Sequence, residues 1–454
     1  MDYNFTLSAD DYMTGRSRGL FRMPTGLLPL WEGELLPSFK DTYDTKAMPA
    51  LAERLGSLYF RNMYAMQMQT LECADLAFPA YRMLFGDILA SDWLAMVDWR
   101  RNGRDHSVHQ PLTAYTTRVL LGGDSDGKLL EVAGTPLVTR IAEIVLRGTG
   151  TIYLRRHFAA LGVPDALFEE NAANLKVWEC VVETAAYIAA LFHDCGYPWA
   201  YRLKQGIGLD KLAGMLTGTS CIEDIYMGLG GRLMMTPFLE NHGASVRVTG
   251  LWEETYRTIV KEGLTKSHGL PGGIAFCHMT DKCRRGGAIS ASGAMKLACL
   301  EWAALAVVMH DMCDVYWGGR DEVEPINPAL RLHAEVDPIS CLITLADQLQ
   351  EFGRNRSVWG RVDDHTAFHS KVKYIEGCVG TKILWEEARG NLAIEYLYED
   401  EAVLTAQRGA IGNIERSLFE TSKGFVDLSA LEIKSVSMWA ERGGVSILRK
   451  RKCV

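Results

Sequence analysis

The chain has 454 residues, 48% of them apolar and 23% charged, which are ordinary proportions for a globular protein and exclude a fibrous or disordered one. Such a length exceeds one ordinary core, so either one elaborated domain or roughly two to three smaller ones is expected, with ample room to bury a protected site. The formal net charge of -8 excludes a general attraction to nucleic-acid backbones or anionic membranes, so neither is an expected partner.

The opening MDYNFTLSADDYM has early acids and no basic stretch leading into an apolar run, so it does not read as a secretory signal. The apolar run Ala303 to Met309 falls far short of the ~20 residues that span a bilayer, and the expected location is cytoplasmic. Eleven cysteines are scattered singly without a CxxC pair, which argues against a zinc ribbon or a redox dithiol. Cys277 and Cys283, with His278 between them, fit no familiar zinc spacing.

In chain order, Pro24, Pro29 and Pro37 mark an irregular arm. LAERLGSLYFRNMYAMQMQTLECADLAF then repeats apolar residues at helical spacing, and its Met and Tyr stripe reads as core packing. Further helices are predicted at Leu137–Arg147, Asn174–Leu191, Leu251–Glu262, Ala294–Met309 and Ile339–Phe352, separated by turns such as GGDSDG and GLPGG. After Asp364 the texture changes. KVKYIEGCVG and NLAIEYLYED alternate like strands, AVLTAQRGAIGNIERSLFE is helical, and a short strand is predicted near Leu428–Ile433. The closing RKRK reads as a solvated tail. The fold class is therefore mainly α: a helical N-terminal layer over 1–100, a helical core over 101–365 and a small α/β appendage over 366–454.

The strongest chemical signal is LFHDCGYP, where His193 and Asp194 end an apolar helix before a Gly and a Pro. Adjacent His and Asp side chains at a helix end can offer one cation a nitrogen and an oxygen from neighbouring directions. A histidine there is also favoured by the helix dipole alone, so the pair carries weight only in company. Company comes in order along the chain. RDHSVHQ places Asp105, His106 and His109 at three- and four-residue spacing on one helical face; NHGAS carries His242, ALAVVMHD carries His310, and ITLADQLQEFGR carries Asp347.

In this order the sequence resembles the HD superfamily of metal-dependent phosphohydrolases, over roughly residues 104 to 354. The resemblance implies an HD-domain helical bundle with His109 as first ligand, His193 and Asp194 as the doublet and Asp347 as the closing aspartate. His242 and His310 match the extra pair found in two-metal members; His268, in SHGL, offers a competing His-Gly pair to His242. The implied cofactors are two divalent ions, from among Mn, Fe, Co, Ni, Zn and Mg, because the donors are nitrogen and oxygen without thiolate. Cations roughly 3.5 to 4 Å apart would share a hydroxide nucleophile and polarise a phosphoryl oxygen. Asp194 is the expected bridge between them.

Arg104, Lys204 and Arg354 are the cations nearest these ligands in sequence and the expected contacts to a substrate phosphate. Asp105 and His106 are expected either to orient ligands or to give a proton to the leaving group. The resemblance leaves open a deoxynucleoside triphosphohydrolase or a nucleotide phosphodiesterase, in bacterial nucleotide signalling or antiviral defence. The chain lacks the further signatures that would decide. A nucleotide is the expected substrate, and a homo-oligomer or a nucleotide effector is compatible with the sequence. The alternative expectation is a regulatory nucleotide-binding protein built on the same core, with the C-terminal part sensing an effector.

Overall fold

The computed structural model describes residues 3–7, 106–122, 129–197, 200, 252–285, 294–319, 322–351, 378 and 380–442. The irregular arm, the closing basic tail and the helical N-terminal layer expected over 1–100 lie outside them, apart from residues 3–7, which form a strand. Among the described residues helices predominate and the sheets are small.

The helices, in chain order, are α1 (His106–Gly122), α2 (Leu137–Arg147), α3 (Ile152–Ala160), α4 (Ala172–Phe192), α5 (Trp252–Lys266), α6 (Gly269–Arg285), α7 (Ala294–Met309), α8 (Cys313–Trp317), α9 (Pro338–Leu349) and α10 (Glu401–Ile414). Helix α4 is the axis of the bundle. Asn171 caps it by accepting from the Asn174 backbone, and the Asn174 amide is itself tied to the carbonyls of Ala166 and Glu169. From Ala185 to Phe192 every residue is buried, so this end can only lie inside a core. Helices α1, α2, α7 and α9 pack around it. Helix α7 is likewise buried on all sides from Trp302 to Met309.

Two boundaries coincide with the sequence reading, Leu137–Arg147 and Ala294–Met309. Helix α9 stops at Leu349, short of Phe352, because Gln350 leaves helical geometry. The stretch GLPGG, read as a turn, instead opens α6. Ser267 Oγ accepts from the backbone N–H groups of Gly269 and Leu270, and a proline is tolerated in the first turn, where its missing N–H has no helical partner to lose.

Strands β1 (Tyr3–Leu7), β5 (Gly380–Glu386), β6 (Asn391–Tyr398) and β8 (Ser435–Arg442) form the largest sheet among the described residues, in the order β1-β5-β6-β8. Strands β1 and β6 are antiparallel to β5, whereas β6 and β8 run parallel with α10 packed on both. The small strands β2 (Glu131–Val132) and β3 (Thr135–Pro136) form a hairpin, while β4 (Leu332–His333) pairs in parallel with β7 (Val426–Asp427). The strand expected near Leu428–Ile433 is a short 3-10 turn, Ser429–Leu431, closed by Glu432 at φ 64°; the alternating strand begins after it. A left-handed residue cannot continue an extended strand.

The C-terminal α/β part shares one apolar core with the helices. Trp317 Nε1 donates to the Ser417 carbonyl at 3.1 Å, and the Tyr316 hydroxyl to that of Lys423 at 2.8 Å. The Tyr396 hydroxyl donates to the Gln348 carbonyl at 2.9 Å, on the last turn of α9. Among the described residues, no helix is long and apolar enough to cross a membrane.

Candidate metal centre

Among the described residues, four histidines and two aspartates converge where α1, α4, α7 and α9 meet. His109 lies in α1, His193 and Asp194 follow α4, His310 follows α7, and Asp347 occupies the last turn of α9. The fourth imidazole is His268, in the joint between α5 and α6. His242, the residue expected from the sequence in that place, lies outside the described residues. So do Asp105, Arg104, Lys204 and Arg354. His106 opens α1, and its side chain is not among those described.

Close backbone packing assembles the centre. The turn after α4 is pressed so firmly against the α5–α6 joint that a Cβ on Gly196 would lie 1.8 Å from the His268 carbonyl oxygen and 2.6 Å from the Gly272 nitrogen. Cys195 Sγ donates to the Gly272 carbonyl at 3.3 Å. A Cβ on Gly269 would sit 2.6 Å from the Val307 carbonyl oxygen, which fixes the joint against the end of α7. Gln110, beside His109, donates to the Leu191 carbonyl at 3.2 Å and accepts from the Cys195 N–H at 3.1 Å, tying α1 to the same turn. Glycine is required at 196 and 269 because any side chain would separate segments whose contact brings the ligands together.

All four imidazoles are oriented the same way. His193 Nδ1 donates to the Ala190 carbonyl and His310 Nδ1 to that of Val307, each at 2.7 Å. His268 Nδ1 meets Asp311 Oδ2 at 2.7 Å, and His109 Nδ1 donates to Gln350 Oε1. Each ring therefore turns Nε2 inward. His109 and His193 Nε2 stand 3.1 Å apart, and His268 and His310 Nε2 3.2 Å apart. Two facing lone pairs repel unless a cation or a proton lies between them, and a ring held at Nδ1–H is the tautomer that ligates through Nε2.

The carboxylates complete two overlapping groups. Asp347 Oδ1 is 2.8 Å from His109 Nε2 and 3.5 Å from His193 Nε2. Asp194 Oδ2 lies 3.6 Å and 3.4 Å from the same two nitrogens, while its Oδ1 meets His268 Nε2 at 2.8 Å. His109, His193 and Asp194 form one group of spacing suited to a metal ion, and Asp194, His268 and His310 form another. The donor set fits a metal, and the arrangement is compatible with an HD-type metal site.

The electrostatics agree. Burial opposes charge on His193, but the Asp194 carboxylate and then Asp347 outweigh it and raise the imidazole to about 10. His268, opposed by burial but faced by Asp311 and Asp194, is raised to about 9. His310 falls to about 4 through burial and the neighbouring imidazoles of His268 and His193. Burial would lift Asp194 and Asp347, yet the facing histidines hold both well below the usual carboxylate range. In the metal-free protein, protons on His193 and His268 thus supply the positive charge the carboxylates demand.

His193 and His109 form the closed floor, being almost wholly buried. His268 and Asp347, with side chains 13% and 22% exposed, face the accessible side. There the Tyr197 ring stacks on His268 with centroids 4.0 Å apart.

Asp311 and Gln350, which hold His268 and His109 from behind, were not singled out from the sequence. Their signal was faint but present: Asp311 makes a second His-Asp doublet with His310, and Gln350 follows Asp347 by one helical turn. Comparison of the chain with protein families, curated proteins and solved structures gave no match, so the site's geometry carries the argument.

Proposed function

We propose that the chain is a metal-dependent phosphohydrolase of the HD type, cleaving a phosphoester or phosphoanhydride bond of a nucleotide. The observation that carries this reading is the placement of Asp194 between the two ligand groups, one oxygen toward each. His109, His193, Asp347 and Asp194 Oδ2 would hold one divalent cation; His268, His310 and Asp194 Oδ1 would hold the second. Nitrogen and oxygen donors without thiolate suit Mn, Fe, Co, Ni or Zn, and Mg where water completes the shell. Such a pair of cations lowers the pKa of bound water and polarises a phosphoryl oxygen.

The chain's own residues do the rest. The buried floor of His109 and His193 closes one side of the centre to solvent, so a phosphate must approach past His268 and Asp347. Arg104, Lys204 and Arg354 are the proposed phosphate contacts, and Asp105 and His106 the proposed proton donors or orienting groups. A deoxynucleoside triphosphate or a cyclic or linear phosphodiester is the proposed substrate.

The test is release of phosphate, pyrophosphate or triphosphate from a panel of dNTPs, NTPs and cyclic nucleotides with Mn, Mg, Co or Ni, comparing the intact protein with His193→Ala and Asp194→Ala. Metal-dependent turnover absent from both variants is the expected result, and the product identifies the bond cut. Bound metal and bound nucleotide without turnover would replace this reading with a regulatory nucleotide-binding protein.

A further inference from the structure

We infer that Asp311 is a positioning residue for one half of the centre: by clamping His268 it decides whether the His268–His310 side retains its ion, while the His109–His193 side is independent of it. The inference rests on the metal reading above.

The four imidazoles are secured in unequal ways. His193 and His310 bond carbonyls three residues back in the helices they follow, so their orientation comes with the helix itself. His109 rides on α1 and meets the neutral amide of Gln350. His268 stands at the N-terminal edge of α6, where its carbonyl accepts from the Gly272 N–H at 3.0 Å, so its ring lacks the carbonyl three residues back that orients His193 and His310 and has a side chain, Asp311, on Nδ1 instead. It is also more exposed than the other three. A ligand so placed depends on what grips it.

Asp311 provides the grip twice. Its Oδ2 accepts from the His268 backbone N–H at 2.7 Å and meets the ring Nδ1 at 2.7 Å, fixing both the main chain and the imidazole plane. That oxygen lies behind the ring, on the side away from the inward Nε2, so Asp311 is not itself a ligand. The two His-Asp doublets therefore divide the work differently. In His193-Asp194 both residues face the centre; in His310-Asp311 the histidine faces the centre and the aspartate holds the neighbouring ligand. A carboxylate on Nδ1–H also makes Nε2 a stronger donor, and loss of such a partner typically weakens metal binding by about 10- to 100-fold. Among the described residues, the His268 side has Asp194 as its one carboxylate ligand, whereas the other side has Asp194 and Asp347, so it has less to spare.

The test is cobalt(II) titration of the full-length, chelator-stripped protein, followed by calorimetry and by the visible ligand-field spectrum, for wild type, Asp311→Ala and Asp311→Asn. The wild type should take up two ions. Asp311→Ala should keep one at wild-type affinity and hold the other about 10- to 100-fold more weakly, with the spectral component of that ion displaced to higher cobalt concentration. Asp311→Asn retains an oxygen for both N–H groups but no charge, and should recover part of the loss. Should Asp311→Ala fail to fold, Asp311→Asn carries the test through the same selective weakening. Two ions at wild-type affinity in the variants, or equal weakening of both, would overturn the assignment of Asp311. A wild type that binds no ion would overturn the metal reading itself, before any variant is compared.

Discussion

Gly196 and His268 are in backbone contact, with the carbonyl oxygen of His268 standing where a Cβ of residue 196 would be, 1.8 Å from it. This contact brings the turn bearing His193 and Asp194 against the joint bearing His268, so that Asp194 Oδ1 reaches the imidazole at 2.8 Å. Gly196→Ala must push the two segments apart. Overpacking of a tight site costs about 1–3 kcal/mol, and a clash with backbone, which has no rotamer to yield, belongs at the upper end. Urea denaturation should report that loss, with weakened binding of metal on the His268 side. Gly272→Ala, whose Cβ would meet its nearest atom at 3.0 Å, should be milder. Equal stability of wild type and Gly196→Ala would disprove the account of how the centre is assembled.

Metal binding should strengthen with pH and release protons. His193 and His268 are raised to about 10 and about 9 in the metal-free protein, so both carry protons at neutral pH that a cation must displace. Their contribution to metal-free stability is fully present below the unfolded imidazole pKa of about 6.5 and is lost as pH rises through about 9 to 10. Asp194 and Asp347 behave oppositely: held low, they stabilise above the ordinary carboxylate pKa and lose that contribution as pH falls through their depressed values. Chelator-treated protein should therefore melt at lower temperature at pH 10 than at pH 7, and metal-loaded protein should resist that fall. Calorimetry in buffers of different ionisation enthalpy measures the released protons directly; affinity unchanged between pH 7 and 9 would contradict the protonated site.

The sequence made the local part of this legible. Helix α2 could be delimited because Pro136 precedes it and Gly148, left-handed at φ 69°, ends it. Helix α7 could be delimited because its unbroken apolar run ends at a histidine. The His-Asp doublet and Asp347 stood out because polar residues at the ends of apolar helices are carried into the interior. What was not legible was pairing over distance. His242 and His268 are both followed by glycine; the contacts that carry His268 to the centre are with Gly196 and Asp311, remote in sequence. Strand β1 escaped notice for the same reason, since five alternating residues become a strand only beside β5, near the opposite end of the chain.

Asp337 is a structural acid whose removal should be costly. It is fully buried, caps α9 by accepting from the Ser340 backbone, and accepts from Trp302 Nε1 at 3.0 Å. Asp337→Ala removes a helix cap, worth about 1 kcal/mol, and leaves an indole N–H without its acceptor, at a further cost of about 1–3 kcal/mol. Burial raises the Asp337 carboxyl, so charge there opposes folding in full above its folded-state pKa, and the penalty shrinks as pH falls below that value until it is gone below the ordinary carboxylate pKa. Asp337→Asn keeps an acceptor without the charge and should therefore be far less damaging at pH 7 than Asp337→Ala. Chemical denaturation of the two variants at pH 5 and pH 7 separates the contributions, and equal losses in both would show that charge rather than capping matters at this position.

Tyr396 offers a way to ask whether the C-terminal sheet supports the centre. Its hydroxyl donates to the Gln348 carbonyl, one residue beyond Asp347, where α9 is about to end and its last carbonyls lack helical partners. Tyr396→Phe keeps the ring in its buried place and removes one neutral hydrogen bond, with a net cost of about 1 kcal/mol. If the bond only holds the sheet in place, metal binding will be unchanged and stability alone will fall. If it steadies the end of α9, the ion shared by His109, His193 and Asp347 should bind more weakly while the His268 side is spared, the reverse of the pattern expected for Asp311→Ala. Cobalt titration of Tyr396→Phe beside Asp311→Ala reads both halves in one experiment. Opposite selectivity in the two variants is the expected outcome, because each substitution loosens a different ligand and Asp194, common to both groups, is untouched by either.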